Sequence, residues 1–477
     1  MNPAAKPSFD ERVDQAINDP FLQQSLRAAQ HRLRTGKADA AEELGNWEAW
    51  RTRAEAIRSH TIEHLDYYLD QFSTNVEKNG GKVFFADTET EAVQYILDLA
   101  KEKEAKTVIK SKSMVSEEMH LNQKLNEIGV QAIESDLGEF IIQLAKEVPS
   151  HIIVPAIHKN RQQIAELFSK LTDEPLPDDT KTLAQFARKR LREMFLNADI
   201  GLSGCNFAVA DTGSIVLVSN EGNARLTTTL PKTHVVMMGM ERIVPSWEDL
   251  DSVLSLLPRS ATGQKITSYV TALSGPRKEN DKDGPEEMHI IIVDNGRSNA
   301  LGTEYQAILN CIRCGACINV CPVYRHIGGH AYGSVYPGPI GAVLTPILEG
   351  FEGYEELPYA SSLCGACTEA CPVKIPLHNM LIDLRRDEIK EKRSPFMEKL
   401  AFRTFGRATA NPFLYKTGIK MAKYALKPLT NREGYIEKGP SILKNWTKGR
   451  DLQAPASESF REWWEREGHQ GEDTDGQ

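Results

Sequence analysis

Residues 311–322 read CIRCGACINVCP, and residues 362–372 read SLCGACTEACP. The first stretch spaces its cysteines C-x₂-C-x₂-C-x₃-C-P, with Cys311, Cys314, Cys317 and Cys321 in the four positions. Three thiolates at that spacing wrap one iron–sulfur cubane from a tight loop, and the fourth, before proline, reaches a second cluster. The glycine in each CGAC suits a tight turn close to the sulfurs. The second stretch fills positions two, three and four with Cys364, Cys367 and Cys371, and residue 361, its first position, is serine. The crossover rule then assigns Cys311, Cys314, Cys317 and Cys371 to one [4Fe-4S] cluster and Cys321, Cys364 and Cys367 to another. One corner of the second cluster has no cysteine. Ser361, Cys205, His326 and a ligand from a partner are the candidates for it, and a vacant corner would leave a [3Fe-4S] cluster. Zinc sites use two separated cysteine pairs and do not explain the continuous spacing.

The rest of the chain fits an iron–sulfur protein of ordinary soluble composition. Seven of the eight cysteines lie between 311 and 371, and the other is Cys205. Clustered thiols in a chain with no export signal read as cluster ligands, not disulfides. The N-terminus, MNPAAKPSFDERVDQ, is polar and lacks the apolar core of a signal peptide. No apolar run reaches the roughly 18 residues of a membrane span. A cytoplasmic location without a transmembrane segment is therefore expected. The formal charge of −9 argues against a general nucleic-acid binder.

Outward from the cysteines, four regions are expected. Residues 1–75 carry apolar positions at helical spacing. Residues 76–300 alternate strands and helices: KVFFAD, KTVIK, VQAIES and HIIVPA read as strands, each followed by a helical pattern, which argues for a mostly parallel, helix-covered sheet. Two further strands surround a turn at Thr212–Gly213, and HVVMMGM and HIIIVD add others. Residues 301–385 hold the cysteine motifs in a helical ferredoxin-type arrangement. Residues 386–477 are a helical region with an acidic tail; residues 385–450 hold 17 Lys+Arg against 6 Asp+Glu. The fold class is thus multidomain, α/β plus α.

Outside the cysteines the chemical signals are weaker. The α/β region has neither a dinucleotide-binding glycine fingerprint nor a P-loop. Lys110 and Lys112 stand at a strand end with Ser113 before a helix, a position where anions bind; a capped helix with solvated lysines is the plainer reading. Arg225 and Lys232 flank hydroxyls in RLTTTLPKTH. Trp463 and Trp464 lie among charges and suit a subunit contact.

Several long stretches together resemble the bacterial lactate utilization protein B family. They are KSKSMVSEEMHLNQKLNEIGVQAIESDLGEFIIQL, HIIVPAIHKN and SGCNFAVADTGSIVLVSNEGNARLTT, followed by CIRCGACINVCPVYRHIGGHAYGSVYPGPIGAVLTP and SLCGACTEACPVKIPLH. The resemblance implies a lactate-utilization α/β domain before the ferredoxin-type domain. It implies two partners, a cysteine-rich subunit and a second α/β subunit, which together with this chain take L-lactate to pyruvate. It also implies two four-iron clusters on the seven cysteines, with a serine at position 361 as part of the family pattern. The chain is then expected to be an electron-transfer subunit of an L-lactate-oxidising complex, its electron acceptor unnamed. Two other classes remain open at this point: a hydro-lyase-like enzyme using an open cluster corner, and an iron–sulfur sensor acting through residues 385–450.

Overall fold

A computed structural model describes residues 7–391, 396–440, 442–447 and 449–467. The described residues up to Glu391 form one compact body, and those from Phe396 onward form a second.

The first body starts with four helices, Phe9–Ile17, Pro20–Leu44, Trp47–Glu63 and Leu65–Lys78. Ser8 and Glu11 close the first helix with reciprocal side-chain-to-backbone bonds of 3.3 and 2.8 Å. Asp19 accepts from the Leu22 N–H at 3.0 Å and Pro20 opens the second helix, where a missing N–H does no harm. Leu26, Gln30, Leu33 and Ala40 form the buried face of that helix. Gln30 donates to the Ile318 and Cys321 carbonyls at 2.8 and 3.2 Å. Arg51, on the third helix, donates to the Cys371 carbonyl at 2.9 Å. The N-terminal helices therefore strap both cysteine loops.

Ten strands follow in chain order: β1 (Lys82–Ala86), β2 (Thr107–Lys110), β3 (Gln131–Glu134), β4 (Ile200–Ser203), β5 (Phe207–Val209), β6 (Ser214–Ser219), β7 (Thr233–Gly239), β8 (Ile243–Val244), β9 (Tyr269–Leu273) and β10 (Glu287–Val293). Six make a wholly parallel sheet in the order β1-β10-β7-β4-β2-β3. The apolar runs HIIIV and HVVMMG fill its centre, as expected for strands covered on both faces. The chain order reverses beside β2: β3 lies on one side of it, and β4, β7 and β10 follow on the other. A second sheet, β8-β5-β6-β9, is antiparallel except for the β5–β8 pair.

HIIVPA is not a strand. β3 is the sheet edge, and residues 151–156 turn away to meet the cysteine region instead. His151 Nε2 lies 3.1 Å from Asn319 Oδ1, and the Tyr324 hydroxyl donates to the Ser150 carbonyl at 2.8 Å. Gly329 packs so closely here that a Cβ would stand 1.9 Å from that carbonyl. The apolar run is used for packing between the two halves of the body. A helix at Thr180–Leu196, absent from the strand–helix reading above, precedes β4.

Lys110, at the end of β2, is fully buried. Its Nζ donates to Glu134 at 2.7 Å, Asn122 at 2.6 Å and Glu117 at 3.0 Å. Burial opposes its charge, but Glu117 and Glu134 outweigh that and hold its pKa above normal. Lys110 is therefore neither the solvated lysine expected from the sequence nor an anion ligand, but the cation of a buried ion-pair cluster.

The second body contains the helices Phe396–Ala410 and Pro412–Leu426, an antiparallel strand pair, Tyr435–Ile436 with Leu452–Gln453, and the helix Phe460–Glu467. Trp463 and Trp464 are exposed and cluster with Phe460. Among the described residues no helix is long and apolar enough to cross a membrane.

Candidate iron–sulfur centre

The two cysteine stretches are copies in three dimensions. Arg313 and Leu363, each before the second cysteine position, sit at φ 59° and 53°. Gly315 and Gly365 follow at φ 72° and 78°, left-handed values that glycine adopts freely. Short helices come next, Ala316–Val320 and Ala366–Ala370, and then Cys321 and Cys371 in nearly the same extended conformation, φ −72° and −70°. Proline after each cysteine ends the loop.

Backbone N–H groups point at the sulfurs. Arg313 N donates to Cys311 Sγ, Tyr324 N to Cys321 Sγ and Ile375 N to Cys371 Sγ, each at 3.4 Å. In the second copy Leu363 N donates to Ser361 Oγ at 3.1 Å. The Ser361 hydroxyl therefore occupies the place that the Cys311 sulfur has in the first copy.

The thiols fall into two groups by which charges they feel. Cys314 is influenced by Cys371 and Cys311, Cys317 by Cys311, Cys314 and Cys371, and Cys371 by Cys311. These four line one narrow cavity. Cys367 is influenced by Cys321 and Cys364, and Cys321 by Cys364. Cys317 also feels Cys367, so the groups adjoin. Burial pushes Cys314 up to about 12 and Cys367 and Cys371 to about 11. Thiols so placed ionise only against a strong positive charge such as bound iron. Among the described residues no three His, Cys, Asp or Glu side chains converge on a point as ligands of a single ion do. Thiolates on the corners of a cubane stand farther apart.

The surroundings of the groups differ. Around the first lie four buried or nearly buried arginines, Arg58, Arg242, Arg297 and Arg313. Arg297 grips Glu118 through two bonds of 3.0 and 2.9 Å and reaches Glu241 at 2.9 Å. Arg313 reaches Glu241 at 3.3 Å and Arg242 reaches it at 3.7 Å. Arg58, on the third helix, meets only carbonyls, among them those of Leu309 and Asn310 just before Cys311, at 3.0 and 3.4 Å. Burial lowers its pKa to about 10, with Arg242 adding to that and Glu241 opposing it. Four guanidiniums against two carboxylates leave a formal excess of two positive charges. Lys37, itself largely enclosed, adds another beside Cys314 and Cys371. In the second group Leu363 replaces Arg313, and Cys364 is exposed. The N–H of Ala366 and the Ser362 hydroxyl lower the pKa of Cys364.

Near the thiols, two polar atoms of Arg313 have no partner among the described residues. Arg313 Nε and Nη1 are buried and unpaired, with Cys311 among the charges that Arg313 feels. The buried Tyr332 hydroxyl finds its partner in the Cys321 thiol itself. A four-thiolate cubane is a dianion when oxidised and a trianion when reduced, and its sulfurs accept hydrogen bonds. The buried positive excess and the unpaired donors fit such a group.

Residues 69–293 match the LUD domain family, 307–375 the 4Fe-4S dicluster domain family, and 385–469 the family of the C-terminal region of lactate utilisation protein B. The lactate utilization protein B of Shouchella clausii is 58% identical over 97% of this chain and 98% of its own. That of Oceanobacillus iheyensis is 56% identical, and that of Bacillus subtilis 55%, each over 96% of both chains. The chain belongs to the lactate utilization protein B family. Its cysteine loops form a 4Fe-4S dicluster domain, so it is an iron–sulfur protein. A crystal structure of a DUF162 family protein from Deinococcus radiodurans overlaps 48% of the chain at 15% identity and a TM-score of 0.28, too loosely to add to the fold.

The other candidate residues are scattered. Cys205 is enclosed beside Arg242 and Glu241, and burial pushes its pKa up to about 12 against the pull of Arg242. His326 is exposed, its Nδ1 2.8 Å from the Pro322 carbonyl. Ser113 caps the helix Met114–Glu118. Arg225 and Lys232 are exposed, and Lys232 lies 3.7 Å from Glu286. The arginine cage escaped the sequence reading. The one local signal was the Arg313–Leu363 difference between two otherwise similar loops.

Proposed function

We propose that this chain carries electrons released in the oxidation of L-lactate to pyruvate, as the iron–sulfur subunit of a multi-protein lactate-utilization system in the cytoplasm. In this reading Cys311, Cys314, Cys317 and Cys371 hold one [4Fe-4S] cluster, and Cys321, Cys364 and Cys367 hold a second. Each cluster, when bound, takes up and returns one electron at a time. The observation that carries the reading is the pair of adjoining thiol groups with opposite surroundings, one buried in an arginine cage and one reaching the surface at Cys364.

The chain's own residues set the conditions. Arg58, Arg242 and Arg313 favour negative charge at the first site. The N–H groups of Arg313, Tyr324 and Ile375 hold Cys311, Cys321 and Cys371 in place. Ser361, with its hydroxyl on the Leu363 N–H, is the residue best placed for the second site's remaining corner. Cys205 and His326 are engaged elsewhere. The partners are a cysteine-rich subunit and a second α/β subunit, and the exposed Cys364 side suits electron exchange with one of them. The names of the relatives support lactate utilization over a hydro-lyase or a sensor.

The test is reconstitution of the three proteins without air. L-lactate should bleach the visible iron–sulfur absorption of this chain, and D-lactate or a missing partner should not. No bleaching by L-lactate in the complete mixture would overturn the reading.

A further inference from the structure

One cavity of about 550 Å³ is lined by none of the seven cysteines of the two loops. It lies where the parallel sheet changes direction, at the carboxyl ends of β2 and β4. Open α/β sheets bind ligands in that crevice. Ser111 to Ser113, after β2, and Gly204 to Asn206, after β4, line it. The two loops approach so closely that a Cβ on Gly204 would lie 3.2 Å from Ser113 Oγ.

The lining is charged on purpose-built positions. Lys112, Arg242, Arg313, Asp136 and Glu221 all line it. Lys112 lies 3.8 Å from Glu139, and Glu221 also feels its charge. Burial raises the Glu139 pKa to about 8 against the pull of Lys112, so that group is largely neutral at pH 7 and offsets little of the lysine's charge. Asp136 is occupied, accepting from the N–H groups of Gly138 and Glu139 at 3.0 and 3.2 Å. Glu241 lies against both Arg242 and Arg313, and burial raises Glu221 to about 7, so Lys112, Arg242 and Arg313 stand against Asp136 and Glu241 with a formal excess of one positive charge when Glu221 is neutral. A monoanion suits that balance better than a dianion. Arg313 and Ile152 line both this cavity and the one that holds Cys311, Cys314, Cys317 and Cys371. A single layer of side chains therefore separates the two.

We propose that this cavity binds a short monocarboxylate with an oxygen on the neighbouring carbon, a 2-hydroxy or 2-oxo acid. The cationic wall of Lys112, Arg242 and Arg313 takes the carboxylate, and Glu221 receives the hydrogen bond of the hydroxyl. The ligand fills the inner end of the cavity, and water fills the rest. This assignment rests on the lactate reading above and adds a location within this chain.

The experiment uses the full chain with its clusters loaded and kept anaerobic. L-lactate, pyruvate and inorganic phosphate are titrated by calorimetry, and paramagnetic resonance of the dithionite-reduced protein is recorded with each. L-lactate and pyruvate are expected to bind saturably and to change the spectrum, because the site adjoins the first cluster. Phosphate should bind at least about tenfold more weakly. Lys112→Gln and Glu221→Gln should each weaken L-lactate by about tenfold or more, the usual loss for a charged hydrogen bond, with iron content and the ligand-free spectrum unchanged. Absence of binding by both acids, equal binding of phosphate, or unchanged affinity in both variants would overturn the assignment. The three-protein reconstitution separates this from the wider reading. Lactate-driven bleaching without binding to this chain removes the cavity proposal alone. Binding that both variants weaken, without any bleaching, leaves the cavity standing and removes the electron-transfer reading.

Discussion

Replacing Arg313 by leucine should lower the reduction potential of the first cluster. The substitution copies the second loop, where Leu363 occupies the matching position at nearly the same left-handed φ. Backbone strain is therefore not the variable. The guanidinium stacks on Tyr336 with its carbon 4.5 Å from the ring centre, and its one carboxylate, Glu241, is shared with Arg297 and Arg242. Much of its charge is thus left to act on the thiolates beside it. A unit charge about 7 Å away in an interior of effective dielectric about 20 contributes about 2 kcal/mol. On a one-electron couple that is roughly 100 mV, since about 59 mV corresponds to a tenfold change.

The sign follows from charge. Reduction adds an electron to a centre that is already an anion, so a nearby cation stabilises the reduced form and its loss makes reduction harder. We expect Arg313→Leu to move the potential down by about 50–100 mV once sharing with Glu241 is allowed for. Arg313→Lys should recover most of the difference. Leu363→Arg should raise the potential of the second cluster. The assay is a redox titration followed by paramagnetic resonance, with iron and sulfide counted for each variant. Full cluster content with unchanged potentials in Arg313→Leu would refute the reasoning, because the cage would then be electrostatically silent.

Three further outcomes follow from other parts of the molecule. Ser361→Cys places a thiol where the hydroxyl already meets the Leu363 N–H, and should slow loss of iron from the second cluster on exposure to air; Ser361→Ala should increase the three-iron signal. Lys110→Met leaves Glu134 and Glu117 without their cation and should cost about 3–5 kcal/mol in denaturant unfolding, the usual effect of breaking a buried pair. Acidification should also destabilise the fold through buried histidines. Burial lowers His151 to about 4 and His234 to about 3, so the unfolded chain takes up their protons first as pH falls below the ordinary histidine range. Stability is then present above about pH 6.5 and falls toward about pH 4 by up to about 1.4 kcal/mol per pH unit for each histidine. Urea midpoints measured from pH 7 to pH 5 check the slope, which His234→Asn should flatten.

The cysteine loops were legible because iron ligation is a local constraint. Spacing alone brings Cys311, Cys314 and Cys317 around one narrow cavity, and proline after Cys321 and Cys371 marks where each loop ends. The parallel sheet was legible because its strands carry continuous apolar runs between amphipathic helices. HIIVPA misled for the same reason: Ile152 and Ile153 are apolar because they pack against the cysteine half, and so short a run cannot say which surface it covers. Lys110 read most plainly as a solvated lysine at a strand end, yet Glu134 and Glu117 arrive from later elements and bury it as an ion pair. Arg58 lies about 250 positions before the carbonyls it holds, with the separation to Leu309 being 251. No local pattern reports such a contact. The same holds for Glu118, Glu241 and Arg297, three residues from three elements that meet only in the folded body.

Two identical loops would place two similar clusters side by side with nothing to choose a direction between them. In this chain the difference comes mostly from outside the loops. Arg58 comes from an N-terminal helix, Arg242 follows β7, and Arg297 follows β10, and all converge on the Cys311 side. The second loop receives Leu363, Ser361 and solvent at Cys364. The α/β half thus surrounds the Cys311 group of thiols with positive charge and leaves the Cys364 group near the surface; in the proposed reading an electron is held more favourably at the buried site. That asymmetry requires the two halves to be packed as one body. It accounts for the segment 151–156 leaving the sheet edge to reach Asn319, and for the absence of a side chain at Gly329 where the halves touch. If the halves were joined loosely, the arginines could not hold fixed positions around the thiols, and the charge difference between the two loops would be lost to solvent.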